Sequence, residues 1–178
     1  MKVNFLDMDS TPPLIKMLNY KNLRRMDRVR DGVALSKEEW IKVIKGGNAV
    51  ILEYAGGMAE TMRNKKDPSK KGEGEFSMSL GGNTFDELSG ILMEIHEKQY
   101  GRIDLDAAFL AAPIKDVFER KRKVENFLYF LALIRTADAH CDLNVLIPDE
   151  NDTDMKERIL SSGADSVLQR QAKEGEVL

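Results

Sequence analysis

Short apolar runs alternate with amphipathic segments along most of this chain. Unbroken apolar runs are typical of parallel strands that are covered on both faces. Strands are therefore predicted over AVILEYA (49–55), FSMSL (76–80), IDLDAAFLA (103–111), LNVLI (143–147) and SVLQ (166–169). The segment KVNFLDM (2–8) is a candidate sixth strand.

The amphipathic segments carry clear helix boundaries. Ser36 precedes Glu39 by three residues, and Thr84 precedes Glu87 in the same way, so both pairs match the capping box. Helices are predicted over 37–45, 85–99, 116–137 and 153–162, and Gly163 suits a left-handed end to the last one.

The helix predicted over 116–137 has two unlike halves. Its first half is charged, with Val117 and Val124 expected to face inward. Its second half, FLYFLALI (127–134), is apolar on all sides, which predicts burial on more than one side.

Alternating strands and helices predict an α/β fold with a doubly wound, mostly parallel sheet of five or six strands in a flavodoxin-like three-layer sandwich. A length of 178 residues suits one domain. We assign the domain to 48–178, and 1–47 to an N-terminal extension, a possible strand plus helices that pack on the core.

Composition excludes several classes of protein. The net charge of −3 argues against binding nucleic acid, although the basic segments 21–30 and 63–75 leave local phosphate contacts open. One cysteine and two histidines exclude an internal disulfide and a multi-cysteine metal centre. Without a long apolar segment or a secretion signal, the chain is expected to be cytoplasmic and to bind no membrane.

No motif predicts a cofactor or a catalytic residue. Gly56-Gly57 follows a predicted strand, but neither GxxxxGK[ST] nor GxGxxG occurs, so nucleotide binding is not expected and a plain turn is favoured. The acidic run 148–154 lacks the spacing of a calcium loop and suits a helix cap. Neither His140 beside Cys141 nor His96 offers an evident nucleophile and base.

Two segments resemble the receiver domain of bacterial response regulators. IDLDAAFLAAP (103–113) resembles the strand that ends in the receiver phosphoacceptor, and Gly163-Ala164-Asp165 resembles the family's GAD turn. The resemblance places Phe109 at the phosphoacceptor position, Glu53 and Tyr54 at the acidic pair, and Arg170 near the lysine. It therefore implies a pseudo-receiver that lacks the phosphoacceptor aspartate. A strand, the long helix 116–137, LNVLIPDEND (143–152), a further helix and ADSVL (164–168) also resemble, in that order, the second half of a RecA-like ATPase core, here without its phosphate loop.

Both resemblances imply a regulatory or scaffolding domain without catalytic activity, which acts by binding a protein partner or a second copy of itself. The helical stripe Val117, Lys121, Val124 and Leu128 is the predicted interaction surface. The alternative is an enzyme or nucleotide-binding protein that uses Gly56, Gly57, Asp149 and Asp152 at the carboxyl ends of the strands.

Overall fold

A computed structural model describes residues 15–47, 49–113 and 115–171 of the chain. Six helices and four strands occur in these residues, with short 3-10 turns at Pro68–Lys70 and Ala108–Ala111. The elements are α1 Ile15–Arg30, α2 Lys37–Lys45, α3 Ala49–Asn64, β1 Glu75–Ser79, α4 Phe85–Lys98, β2 Arg102–Asp106, α5 Val117–Ala137, β3 Asp142–Ile147, α6 Thr153–Ser161 and β4 Ser166–Gln169.

The four strands form one parallel sheet in the order β1-β2-β3-β4. Leu105 pairs with Met78 on one side and with Val145 on the other, and Val145 pairs with Val167. The predicted α/β class and parallel sheet are confirmed, with four strands in the described residues instead of five or six. The candidate strand 2–8 lies outside the described residues.

The strand order places α4, α5 and α6 on one face of the sheet, because each right-handed crossover moves in the same direction. Ile103 and Leu105 are buried on that face. The opposite face carries polar side chains, among which Asn144 Nδ2 donates to Asp104 Oδ1 at 2.9 Å. The helices that a doubly wound sheet places on its second face are not among the described residues.

Helices α1, α2 and α3 form a second helical layer over α4, α5 and α6. Helix α5 is therefore covered by the sheet on one side and by α1 and α3 on the other. All residues from Phe127 to Ala137 are buried, which confirms the burial predicted for FLYFLALI. Trp40 of α2 and Met26 of α1 belong to the same apolar core.

Both predicted capping boxes are confirmed. The Glu39 amide donates to Ser36 Oγ at 3.2 Å, and the Glu87 amide donates to Thr84 Oγ1 at 3.3 Å. Gly163 follows α6 with a φ of +105°, the left-handed conformation that the sequence predicted.

Three of the local predictions are wrong. AVILEYA (49–55) is the start of α3, because an apolar run of this length does not distinguish a strand from a helix buried on several sides. Gly56 and Gly57 consequently lie inside α3 and form no turn. Val117 does not face inward, since 77% of its surface is exposed.

Among the described helices, none has both the length and the apolar composition needed to cross a bilayer.

Candidate functional site

The carboxyl ends of the strands, where ligands of α/β proteins usually bind, hold the site that the alternative function requires. Strand β2 ends at Asp106, five residues earlier than expected, and the chain then forms a 3-10 turn. Phe109 in that turn is buried edge-on against Phe127, with ring centroids 5.3 Å apart. A packed aromatic ring therefore occupies the space next to the strand end, whereas Asp106 itself lies at the rim.

Asp106 is held by an arginine from the last strand. Arg170 follows β4, and its Nε donates to Asp106 Oδ1 at 2.6 Å across β3. The Arg170 side chain is buried, and the Asp106 side chain is only 13% exposed. The pair joins the ends of β2 and β4, so at least one oxygen of the Asp106 carboxylate stabilises the fold.

The other polar groups at the rim hold the loop after β3. Asp149 Oδ1 accepts from the Asn151 amide at 2.9 Å, and Asp152 Oδ1 accepts from the Met155 amide at the start of α6. Gln169 Nε2 donates to the carbonyl of Pro148. Within the described residues, no three His, Cys, Asp or Glu side chains lie together as a metal site would require.

Cys141 and His140 are also occupied by structural contacts. Burial raises the pKa of the Cys141 thiol to about 12, so the thiol is neutral at physiological pH. His140 Nδ1 accepts from the Asp67 amide at 3.0 Å. His96 lies on α4, far along the chain from both residues. The structure thus gives His140 and Cys141 different neighbours, and His140 is only partly buried.

The four residues of the predicted interaction stripe do not share one exposed face. Val124 and Leu128 are buried in the core, whereas the Val117 and Lys121 side chains are exposed. Phe118, next to Val117, is 83% exposed. Only the first turns of α5 therefore present residues of this stripe to solvent.

Part of each basic segment is paired with carboxylates of the chain. Arg28 in segment 21–30 donates to Glu39 Oε2 at 2.8 Å. In segment 63–75, Lys66 and Lys71 both bind the carboxylate of Asp142, at 2.7 and 2.9 Å. These contacts lower the pKa of Asp142, with Lys66 contributing most. Phosphate binding by either segment would have to compete with these ion pairs.

A groove of about 690 Å³ runs along the exposed side of α3. The sequence does not predict this groove, because the apolar start of α3 has the pattern of a strand. The groove is lined by Glu53, Tyr54, Gly57, Met58, Thr61 and Met62 of α3, by Lys65 directly after it, by Arg30 and by Ala139 and His140. The spacing of Tyr54, Met58 and Met62, four residues apart, is the one pattern in the sequence that could have indicated this face.

The two ends of the groove are built by distant parts of the chain. At one end, Tyr54 Oη donates to Asp27 Oδ1 at 2.7 Å, and this hydrogen bond raises the pKa of Tyr54. At the other end, the contact between His140 and Asp67 fixes the turn after α5 beside the end of α3. Because α3 rises about 1.5 Å per residue, Glu53 and Lys65 lie roughly 18 Å apart along it.

Gly57 forms an open position on the groove surface. A Cβ atom built on Gly57 meets no other atom within 4 Å, and the residue is exposed. Glycine inside a helix costs about 1 kcal/mol of stability relative to alanine. The packing of the chain itself therefore does not require glycine at this position.

No protein-family model, no curated protein and no solved structure matches this chain.

Proposed function

We propose that this chain is a non-catalytic regulatory or scaffolding domain that binds a segment of a partner protein in the α3 groove. The observation that carries the proposal is the exposed groove with an apolar floor of Tyr54, Met58 and Met62 and an unfilled position at Gly57. Its volume lies within the range of about 300–1,000 Å³ that is typical of ligand sites.

The side chains of the groove suit a protein ligand. Helices often bind in apolar grooves through side chains spaced three or four residues apart. Methionine adapts its shape to such side chains, and both Met58 and Met62 line the groove. At the strand ends, by contrast, Asp106, Asp149 and Asp152 all hold parts of the fold. That contrast supports a binding role over a catalytic one.

The test uses helical peptides selected from a displayed library against the full chain. The Gly57→Gln variant places a long side chain in the groove and should weaken binding of the selected peptides by about tenfold or more, a loss of about 1.4 kcal/mol. The matched control is Gly90→Gln. Gly90 is also an exposed glycine inside a helix with no atom within 4 Å of an added Cβ, but it lies on α4, outside the groove.

Equal binding to the wild type and to Gly57→Gln, with both proteins folded by circular dichroism, would contradict the proposal. A rise in the unfolding temperature with magnesium and a nucleotide, lost in Asp149→Ala, would contradict it as well. That result would instead place a ligand site at the strand ends.

A further inference from the structure

Three charged residues line the α3 groove, and two of them have no ionic partner among the residues that the structure describes. Arg30 at one end lies 3.4 Å from the carboxylate of Asp27 and 3.6 Å from that of Asp31. Glu53 and Lys65 form no ion pair with any residue that the structure describes, and both are exposed. The groove therefore presents one unpaired negative charge and one unpaired positive charge.

The two unpaired charges lie at opposite ends of the groove. Twelve residues separate Glu53 from Lys65, a distance of roughly 18 Å along the α3 axis. A bound helix of about twelve residues has the same length. Such a helix can place one end over Glu53 and the other end over Lys65.

Resting on the proposed function, we infer that the partner segment is an amphipathic helix of about three turns that lies antiparallel to α3. Acidic side chains in its first turn face Lys65, and basic side chains in its last turn face Glu53. Acidic residues near the start and basic residues near the end also stabilise a helix through its own dipole. Charge complementarity and helix stability therefore favour the same direction of binding.

The apolar side of the partner helix faces Tyr54, Met58 and Met62. An apolar side chain near the middle of the partner helix sits over Gly57, where α3 has no side chain. The charges of Glu53 and Lys65 also stabilise α3 itself through its dipole. The direction of binding is therefore tested separately from the location of the site.

The experiment compares two pools of displayed helical peptides with identical composition. The forward pool has acidic residues in the first turn and basic residues in the last, and the reversed pool has the opposite order. A covalent staple in every peptide equalises helix content, which circular dichroism checks. Binding is measured to the wild type, to Gly57→Gln and to the double variant Glu53→Lys with Lys65→Glu.

The inference predicts that the wild type prefers forward peptides by about fivefold, since each exposed ion pair contributes little. It also predicts that the double variant prefers the reversed pool. Binding that Gly57→Gln weakens but that shows no preference for either pool would overturn the inference and leave the proposed function standing. A preference that the double variant does not invert would overturn it as well. Binding that Gly57→Gln leaves unchanged would overturn both.

Discussion

Arg170 Nε and Asp106 Oδ1 lie 2.6 Å apart and link the end of β4 to the end of β2 across β3. Both residues lie at the rim of the sheet where a ligand of an α/β protein would bind. At this rim, Arg170 and Asp106 bind each other, and both charged groups therefore already have a partner within the chain.

Substitution of one partner should leave the other charge buried without its counterion. We expect Arg170→Met to lower the free energy of unfolding by about 2–4 kcal/mol, because removing one partner of a buried ion pair is strongly destabilising. The double variant Arg170→Met with Asp106→Asn should lose less than the sum of the two single variants. Urea denaturation of the four proteins measures this difference, and strictly additive losses would show that the pair does not stabilise the sheet.

Arg135 should be irreplaceable by lysine. Its fully buried guanidinium donates to the carbonyls of Gly163 and Cys141 at 2.8 and 2.9 Å, and to Asp165 Oδ2 at 2.6 Å. A lysine ammonium cannot reproduce this planar arrangement, so Arg135→Lys should cost about 3 kcal/mol or more. The control is Arg102→Lys, where the half-exposed side chain predicts a loss below about 1 kcal/mol. Similar urea midpoints for the two variants would contradict the prediction.

The contribution of Asp138 to the free energy of unfolding should fall as the pH rises. The contribution of most carboxylates, whose pKa is lowered on folding, rises with pH. Burial raises its pKa to about 6, and its Oδ2 atom is buried without a hydrogen-bond partner. The folded protein therefore holds a proton between about pH 4 and pH 6 that the unfolded chain has released. The stabilising contribution is present at about pH 4 and is lost as the pH rises through 6.

The measurement compares the wild type with Asp138→Asn from pH 4 to pH 7. Relative to the wild type, the variant should become more stable as the pH rises, by roughly 2–3 kcal/mol in total. Asp142→Asn is the control with the opposite sign. Ion pairs with Lys66 and Lys71 lower the pKa of Asp142, so its contribution is present above about pH 4 and is lost as the pH falls below that value. This control is therefore measured from about pH 2 to pH 5. If the free energies of unfolding of the wild type and Asp138→Asn changed by the same amount from pH 4 to pH 7, the raised pKa of the Asp138 carboxyl group would be contradicted.

Alanine should have opposite effects at two glycines near α3. At Gly57 the added methyl group meets open space, so Gly57→Ala should raise the free energy of unfolding by about 0.5–1 kcal/mol. Gly163 has a φ of +105°, and its added Cβ would lie 2.9 Å from the Cβ atoms of Ala59 and Arg135. Gly163→Ala should therefore destabilise by more than about 1 kcal/mol. Thermal unfolding checks both signs, and stabilisation by Gly163→Ala would contradict the packing described here.

The sequence predicted best what local interactions decide. The capping boxes at Ser36 and Thr84 depend on residues only three positions apart, and the helices that they begin were predicted to within one residue. The apolar segment 127–134 also indicated correctly that α5 is buried on more than one side. No tertiary contact had to be known for these predictions.

Errors arose where tertiary contacts decide. The run 49–55 is part of α3, which packs against α5 and α6, and its apolar pattern alone does not distinguish that environment from the inside of a sheet. The groove was not predicted, since it brings together Arg30, α3 and His140, which are far apart in the sequence. Val124 and Leu128 were expected at an interface but lie in the core, where α5 is covered on both sides.

The most direct test of the binding site is the methyl resonance of each methionine in a protein with 13C-labelled methionine methyl groups. Titration with a selected helical peptide should shift the resonances of Met58 and Met62, which line the groove. The resonances of Met26 and Met155, which are buried in α1 and α6, should stay unchanged. Shifts confined to methionines outside the groove, such as Met78 of β1, would show that the peptide binds elsewhere and would contradict the proposed function.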